Sequence, residues 1–492
     1  MGSLPHAPSP SPQETFDVII VGAGISGINT AYYLQEHGPP GATYAILEGR
    51  GRMGGTWDLF RYPGIRSDSD IHTFGFSWNP WKGNNPLAGG GEILSYLSES
   101  ASMHGIDKNI RYHHQVVSAD WSSATSMWTL KASVDGEKVK AFGARFVVLG
   151  TGYYDYEQPL STVIPGIQNF EGQVVHPQFW PEDLDYRDKD IVIIGSGATA
   201  VTLLPNIATE AKHTTMLQRS PTYILALPTR VGILGDILSF LPDSISKRIL
   251  RAQFIIGGYL LYYFCMLFPP VARRIMLWAT ARKLPPSVSV DPDFSPRYYP
   301  WEQRLCVCPD ADFYAALKSG RADIVTDTIN TVTKSEIILT SGRVLKPDVI
   351  ITATGLKLRF AGSISISVDG VPVDPHSKFG YKGCMLQDVP NLAFVFGYAN
   401  ASWTLGAEAT SSYLVRLWRG MREKGLRSVT PYLENPEGMV QTRILPLKST
   451  YVMKAGKIFP KTGIGMWAPK TNYMVDLWKA KVGDPFAGLR VC

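Results

Sequence analysis

Two glycine loops, one acid and one arginine stand at spacings that hold nucleotides. Gly22-Ala-Gly24-Ile-Ser26-Gly27 follows directly on the apolar run Phe16–Val21. In such a loop Gly22 makes a tight turn and Gly24 lets the backbone approach a pyrophosphate. Gly27 lets helix and strand pack closely. The following helix offers free N–H groups and the positive end of its dipole to the anion. Glu48, 21 residues past Gly27, ends the apolar run Tyr44–Leu47 and can accept hydrogen bonds from ribose hydroxyls. The pattern recurs in Gly195-Ser196-Gly197-Ala198-Thr199-Ala200, behind Asp190–Ile194, with Ala200 in the third glycine position. Here the run Thr214–Leu217 leads to Gln218-Arg219-Ser220 where the first site has an acid. A guanidinium in place of the carboxylate favours a ribose 2′-phosphate, hence NADPH over NADH.

Two such loops in one chain imply one bound cofactor and one exchanged coenzyme, and FAD with NADPH is the common pairing. The elements needed to position them make an α/β fold: two Rossmann-like dinucleotide-binding domains, for FAD and NADPH, with a helical insert. Phe146–Leu149 before Gly150-Thr-Gly152, and Val349–Ile351 before Thr352-Ala-Thr-Gly355, look like crossings between the domains. Asn391–Phe396 reads as a late strand returning to the first domain. Residues 1–14 are Pro/Ser-rich, lack the apolar core of a secretory signal and are expected to be a flexible tail, with order from Phe16. The expected division is 15–152 with 390–492 for FAD, 153–222 with 291–389 for NADPH, and 223–290 for the insert.

The 492 residues suffice for a large core without staples. Five cysteines, at 265, 306, 308, 384 and 492, form neither C-x-x-C nor paired zinc spacing. A reducing, cytoplasmic setting without a metal site is expected, and a disulfide reductase is disfavoured. The net charge of +6 is concentrated. Residues 244–290 hold seven basic side chains (Lys247, Arg248, Arg251, Arg273, Arg274, Arg282 and Lys283) and no acidic ones. Between Arg251 and Arg273 lie 21 uncharged residues, long enough to cross a bilayer. Three alternatives stand: a buried helical subdomain closing the active site, a peripheral membrane-docking hairpin through 244–283, or a true span. A span would part the glycine loops from the segment around residue 304, and Gly257-Gly258 and Pro269-Pro270 should break the segment. Basic residues beside apolar surface suit an anionic membrane face. Nucleic-acid binding is not expected, because no aromatics interleave with the charges on a polar face.

Phe170-Glu-Gly-Gln-Val-Val-His176-Pro-Gln-Phe-Trp180-Pro181 matches FxGxxxHxxxWP, and the chain resembles the Baeyer–Villiger monooxygenases over roughly 15–465. Gly54-Gly-Thr-Trp57, Asp58–Asp70, Pro300-Trp-Glu-Gln-Arg304-Leu-Cys306 and Asn400–Leu405 look most like its ethionamide-activating branch. The resemblance implies insertion of one oxygen of O₂ beside the carbonyl of a hydrophobic ketone, through a peroxide formed at flavin C4a, giving an ester or lactone. S-oxygenation of sulfides is a further implied activity. It implies that Arg304 stabilises the developing negative charge and that Asp68 positions it. His176 would serve domain coupling rather than chemistry. Ser26, Glu48, Thr56, Trp57 and Asp68 would line FAD; Arg66, the 195–200 loop, Arg219 and Ser220 would line NADPH. Gly55, Asp58, Leu59, Ser67, Val116 and Val201 complete the expected cofactor contacts, and Trp403 would border the substrate. The family usually has Lys before this arginine; here Gln303 stands there, so NADPH preference rests more heavily on Arg219. The alternative is an N- or S-hydroxylating flavin-containing monooxygenase. Its fingerprint typically ends in Phe or Tyr rather than Trp180-Pro181, and it lacks the arginine motif.

Overall fold

In the computed structural model, which describes residues 12–83, 85–238, 240–444, 452–453 and 457–492, two sheets carry the two glycine loops. In the first, Glu14–Val21 lies between Tyr44–Leu47 and Lys138–Leu149, parallel to both. Its side chains alternate between two cores, as strand geometry requires. Val18 and Ile20 pack with Ile28 and Leu34 of helix Ile25–His37 and with Leu414 of helix Trp403–Glu423. Ile19 and Val21 pack with Trp128 and Leu130 of the antiparallel meander His114–Ser122, Met127–Val134, Lys138–Leu149. Covered on both faces, the strand has no polar positions between Val18 and Val21. The second sheet is all parallel. Its order is Ala322–Thr326, His213–Gln218, Asp190–Ile194, Val349–Thr352, Gln173–Val175. Helix Ala198–Ile207 packs on it through Val201, Leu203 and Leu204.

The chain passes between the sheets twice, and an ion cluster joins the two passages. Asp155, wholly buried, pairs with Lys357 at 3.1 Å and Arg359 at 2.9 Å. Gln178, inside the FxGxxxHxxxWP segment, donates from Nε2 to the Asp155 main-chain oxygen at 2.7 Å. The strand just before His176 edges the second sheet beside Val349–Thr352. The fingerprint therefore sits where the two nucleotide units are tied together.

Several boundaries differ from expectation. The tail lies outside the described residues as far as residue 11. After it, Gln13 N already bonds Ala141 O at 2.9 Å and the strand begins at Glu14, ahead of Phe16. The return to the first sheet comes near residue 360 rather than 390. Ser365–Val368 pairs with His114–Ser122, and Met385–Leu386 joins Leu392–Phe394. These strands have two to four residues, too short for a readable period. At the insert, Ile224–Leu227 is a strand paired with Cys306–Pro309, so the helices start only at Gly232. Helix Asp243–Leu267 runs through Gly257-Gly258 unbroken, and only Phe268 separates it from Pro269–Ala281, whose first turn holds the two prolines. A glycine costs a helix about 1 kcal/mol, too little to end one anchored by tertiary contacts. All five cysteines are free.

Candidate active site

Each nucleotide loop is built by close backbone approach. Gly22 has φ of +100°, and a Cβ there would stand 2.8 Å from Gly150 O. At Gly27 a Cβ would fall 1.9 Å from Gly22 O, so helix and turn meet only without a side chain. Glu48 is held at the end of its strand by Ala23 N at 2.7 Å and Arg50 N at 2.9 Å. Burial raises its pKa, while those two N–H groups favour the ionised form.

A cavity of about 550 Å³ opens at this loop and extends to the second unit. Gly22, Gly24, Ser26, Glu48, Gly55, Thr56, Trp57 and Val116 line it from the first unit. Ala198 and Thr199 line it from the second, and Arg66, Ser67, Asp68, Arg304 and Trp403 close the remaining wall. Asp68 is raised to about 6, chiefly by burial, against the pull of the Arg66 and Arg304 guanidinium groups. It is therefore ionised at neutral pH and faces both cations. Arg66 donates to Val307 O at 3.1 Å and pairs with Asp312 at 3.5 Å. Its Nε is buried without a hydrogen-bond partner. Trp403 donates from Nε1 to Ser26 Oγ at 2.8 Å and stacks on Tyr153 with centroids 5.0 Å apart.

Other expected site residues lie elsewhere. Gly27 serves packing behind the loop. Asp58, 2% exposed, is consumed by ion pairs to Arg50 at 2.6 Å and Arg61 at 3.0 Å. Leu59 packs against the second unit's core. Ala200 and Val201 are wholly buried against that sheet. Gly195, Ser196, Gly197, Arg219 and Ser220 lie outside the cavity lining. Ser196 Oγ donates to Ser220 O at 2.8 Å, which ties the loop to the exposed Arg219-Ser220 end of its strand. A Cβ at Gly197 would meet nothing within 4 Å.

Sequence inspection missed Tyr156, whose hydroxyl lies 3.3 Å from Thr56 Oγ1, and Tyr398 and Ala401, all of which line the cavity. The signals were Gly150, which abuts the first loop, and Gly397, which follows the apolar strand Leu392–Phe394 and abuts Trp403. The residues present fit FAD at the first loop. A glycine cradle opens into the cavity, an oriented carboxylate stands at the second strand's end, and Arg66 lines the same space. At the second loop the space over Gly197 and the Arg219 guanidinium fit a 2′-phosphorylated coenzyme.

The model of the "flavin-binding monooxygenase-like" family matches residues 74–252, and that of the NAD(P)-binding Rossmann-like domain matches 20–84. The chain is 45% identical over 467 residues to the FAD-containing monooxygenase EthA of Mycobacterium tuberculosis (strain ATCC 25618 / H37Rv), covering 94% of this chain and 95% of that protein. Among solved structures it is similar to oxidized steroid monooxygenase bound to NADP. The TM-score is 0.75 at 19% identity, covering 97% of this chain and 99% of the other. The open crystal structure of cyclohexanone monooxygenase gives 0.74 at 19% identity, covering 98% and 100%.

Proposed function

The chain belongs to the family of FAD-containing monooxygenases that includes EthA, and from that premise we propose that it is an FAD- and NADPH-dependent Baeyer–Villiger monooxygenase. It inserts one oxygen of O₂ beside the carbonyl of a hydrophobic ketone, and S-oxygenation of sulfides is a second outcome of the same site. One observation carries this: a single cavity gathers Gly22 and Gly24, Ala198 and Thr199, and Asp68 with Arg304.

Bound FAD, reduced by NADPH, supplies the activation of O₂. The chain supplies placement and charge. Glu48 accepts from a ribose, and the N-terminus of helix Ile25–His37 faces a pyrophosphate. Arg304 keeps its proton at any working pH and stabilises negative charge on the reacting oxygen. Asp68, ionised at neutral pH, holds Arg304 and Arg66 toward the cavity. The aromatic wall of Trp57, Tyr153 and Trp403 keeps water from the reacting atoms. A peripheral contact of segment 244–283 with a membrane would bring the site to apolar substrates.

Product analysis under ¹⁸O₂ with ketones and sulfides tests the reaction class. One labelled oxygen in an ester is expected. A labelled sulfoxide with no ester from any ketone would move the chain to the N- or S-hydroxylating type.

A further inference from the structure

Helix Asp243–Leu267 is fastened to the body along one face. Arg251 donates to the main-chain oxygens of His72 and Gly75, both at 2.8 Å, and to Glu408 at 2.8 Å. Tyr473 N donates to Tyr259 Oη at 2.7 Å, which docks the C-terminal helix Tyr473–Val482 on the insert. These contacts fix which side faces out and exclude a span, whose whole circumference would have to meet lipid or other helices. On the outer side Ile249, Ile256, Leu260 and Leu267 follow helical spacing and are 40–70% exposed. Trp278 on the second insert helix and Trp478 on the C-terminal helix are 59% and 63% exposed. The apolar run is thus not a buried lid over the site.

Soluble monomers rarely expose a large apolar patch without a partner, and these helices leave several large apolar side chains exposed. Charge selects the partner. Arg248, Arg274 and Arg282 are exposed on the same two helices, and 244–290 holds no acidic residue. A second copy meeting this face about a two-fold axis would set basic side chains against basic side chains. An anionic bilayer offers hydrocarbon to the leucines and opposite charge to the arginines. We propose that this three-helix face docks on a bilayer containing anionic phospholipid. The proposal deepens the membrane contact above and rests on that reading for its place in the function. Tyr398 and Ala401 line the cavity and also pack with Tyr259 and Ile255 on the inner side of the insert helix, so the helix that carries the docked face also backs the cavity wall.

The test is co-sedimentation of FAD-loaded, full-length enzyme with two kinds of vesicle: phosphatidylcholine alone, and equal parts phosphatidylcholine and phosphatidylglycerol. Binding to the mixed vesicles is expected, weakening with salt. Arg248→Glu/Arg274→Glu/Arg282→Glu should lower it by about a hundredfold or more. Leu260→Ser/Leu267→Ser should lower it without changing its salt dependence. All five positions are exposed, and retained flavin content checks folding. Absent binding to the mixed vesicles, or equal binding by the charge-reversed enzyme, overturns the proposal. So does a dimer in sedimentation velocity that Leu260→Ser/Leu267→Ser dissociates in the absence of any vesicle binding. Turnover of a water-soluble ketone should be unchanged in both variants. Vesicle binding without oxygenation would sink the reaction class and leave docking intact.

Discussion

Glu48 and Arg219 lie at the same place in two folds of one kind, at or just past the end of the second strand after a glycine loop. Their surroundings are opposite. Glu48 is 7% exposed, fixed by two backbone N–H groups and set in the cavity wall. Arg219 stands exposed, beside a loop whose Gly197 has nothing within 4 Å of an added Cβ. An enclosed loop suits a group that stays through many turnovers, and an open one suits a group that must arrive and leave. One architecture thus serves retention and exchange through the packing around it.

The largest effect should separate the two loops directly. Gly27→Ala places a methyl against Gly22 O and should abolish flavin in the purified enzyme, read from its visible absorbance. Gly197→Ala should leave flavin content unchanged; equal losses would end the contrast. Next, Arg304→Ala should cost about 10²–10³ in ester formation, with flavin still reduced by NADPH in stopped flow. Normal oxygenation would remove its assigned role. Arg219→Ala gives up charge-assisted bonds of roughly 1.5–3 kcal/mol, so the NADPH KM should rise about ten- to hundredfold. The NADH KM and the flavin content should barely move.

The smallest effect is a pH limb. Asp68 is raised to about 6 by burial, so it protonates as pH falls through that value and Arg304 loses its counter-charge. Turnover should fall severalfold below about pH 6, and Asp68→Asn should flatten that limb. Stability runs the other way. A raised carboxyl favours the fold below its unfolded pKa near 3.8 and loses that contribution as pH rises toward 6. Melting temperatures of Asp68→Asn across that window should lack this decline.

The two loops, both crossings and the late strand were legible because glycine leaves few alternatives at a turn where backbones nearly touch. Gly22 and Gly150 locate each other in this way. Asp58 stands beside cofactor-lining residues in sequence, and its carboxylate is paired with Arg50 and Arg61. Long-range charge partners leave no mark on local spacing. The boundary near 360 was hidden for another reason. Ser365–Val368 and Met385–Leu386 are strands only because a longer neighbour supplies their hydrogen bonds. Tyr398 and Ala401 reach the cavity through a fold that brings them back from the far side of the chain.

The first sheet is written in separated pieces: Glu14–Val21 and Lys138–Leu149 come before the whole second unit, and Leu392–Phe394 comes after it. During synthesis the early strands must therefore wait, while the nested unit has all its strands, from Gln173–Val175 to Val349–Thr352, in one continuous stretch. The coenzyme unit can close while the ribosome is still at work. The first sheet gains its last parallel neighbour only after that unit's strands have all been made. A truncation just before Leu392 would spare the nested unit and leave Lys138–Leu149 with an open edge, the kind of surface on which chains aggregate.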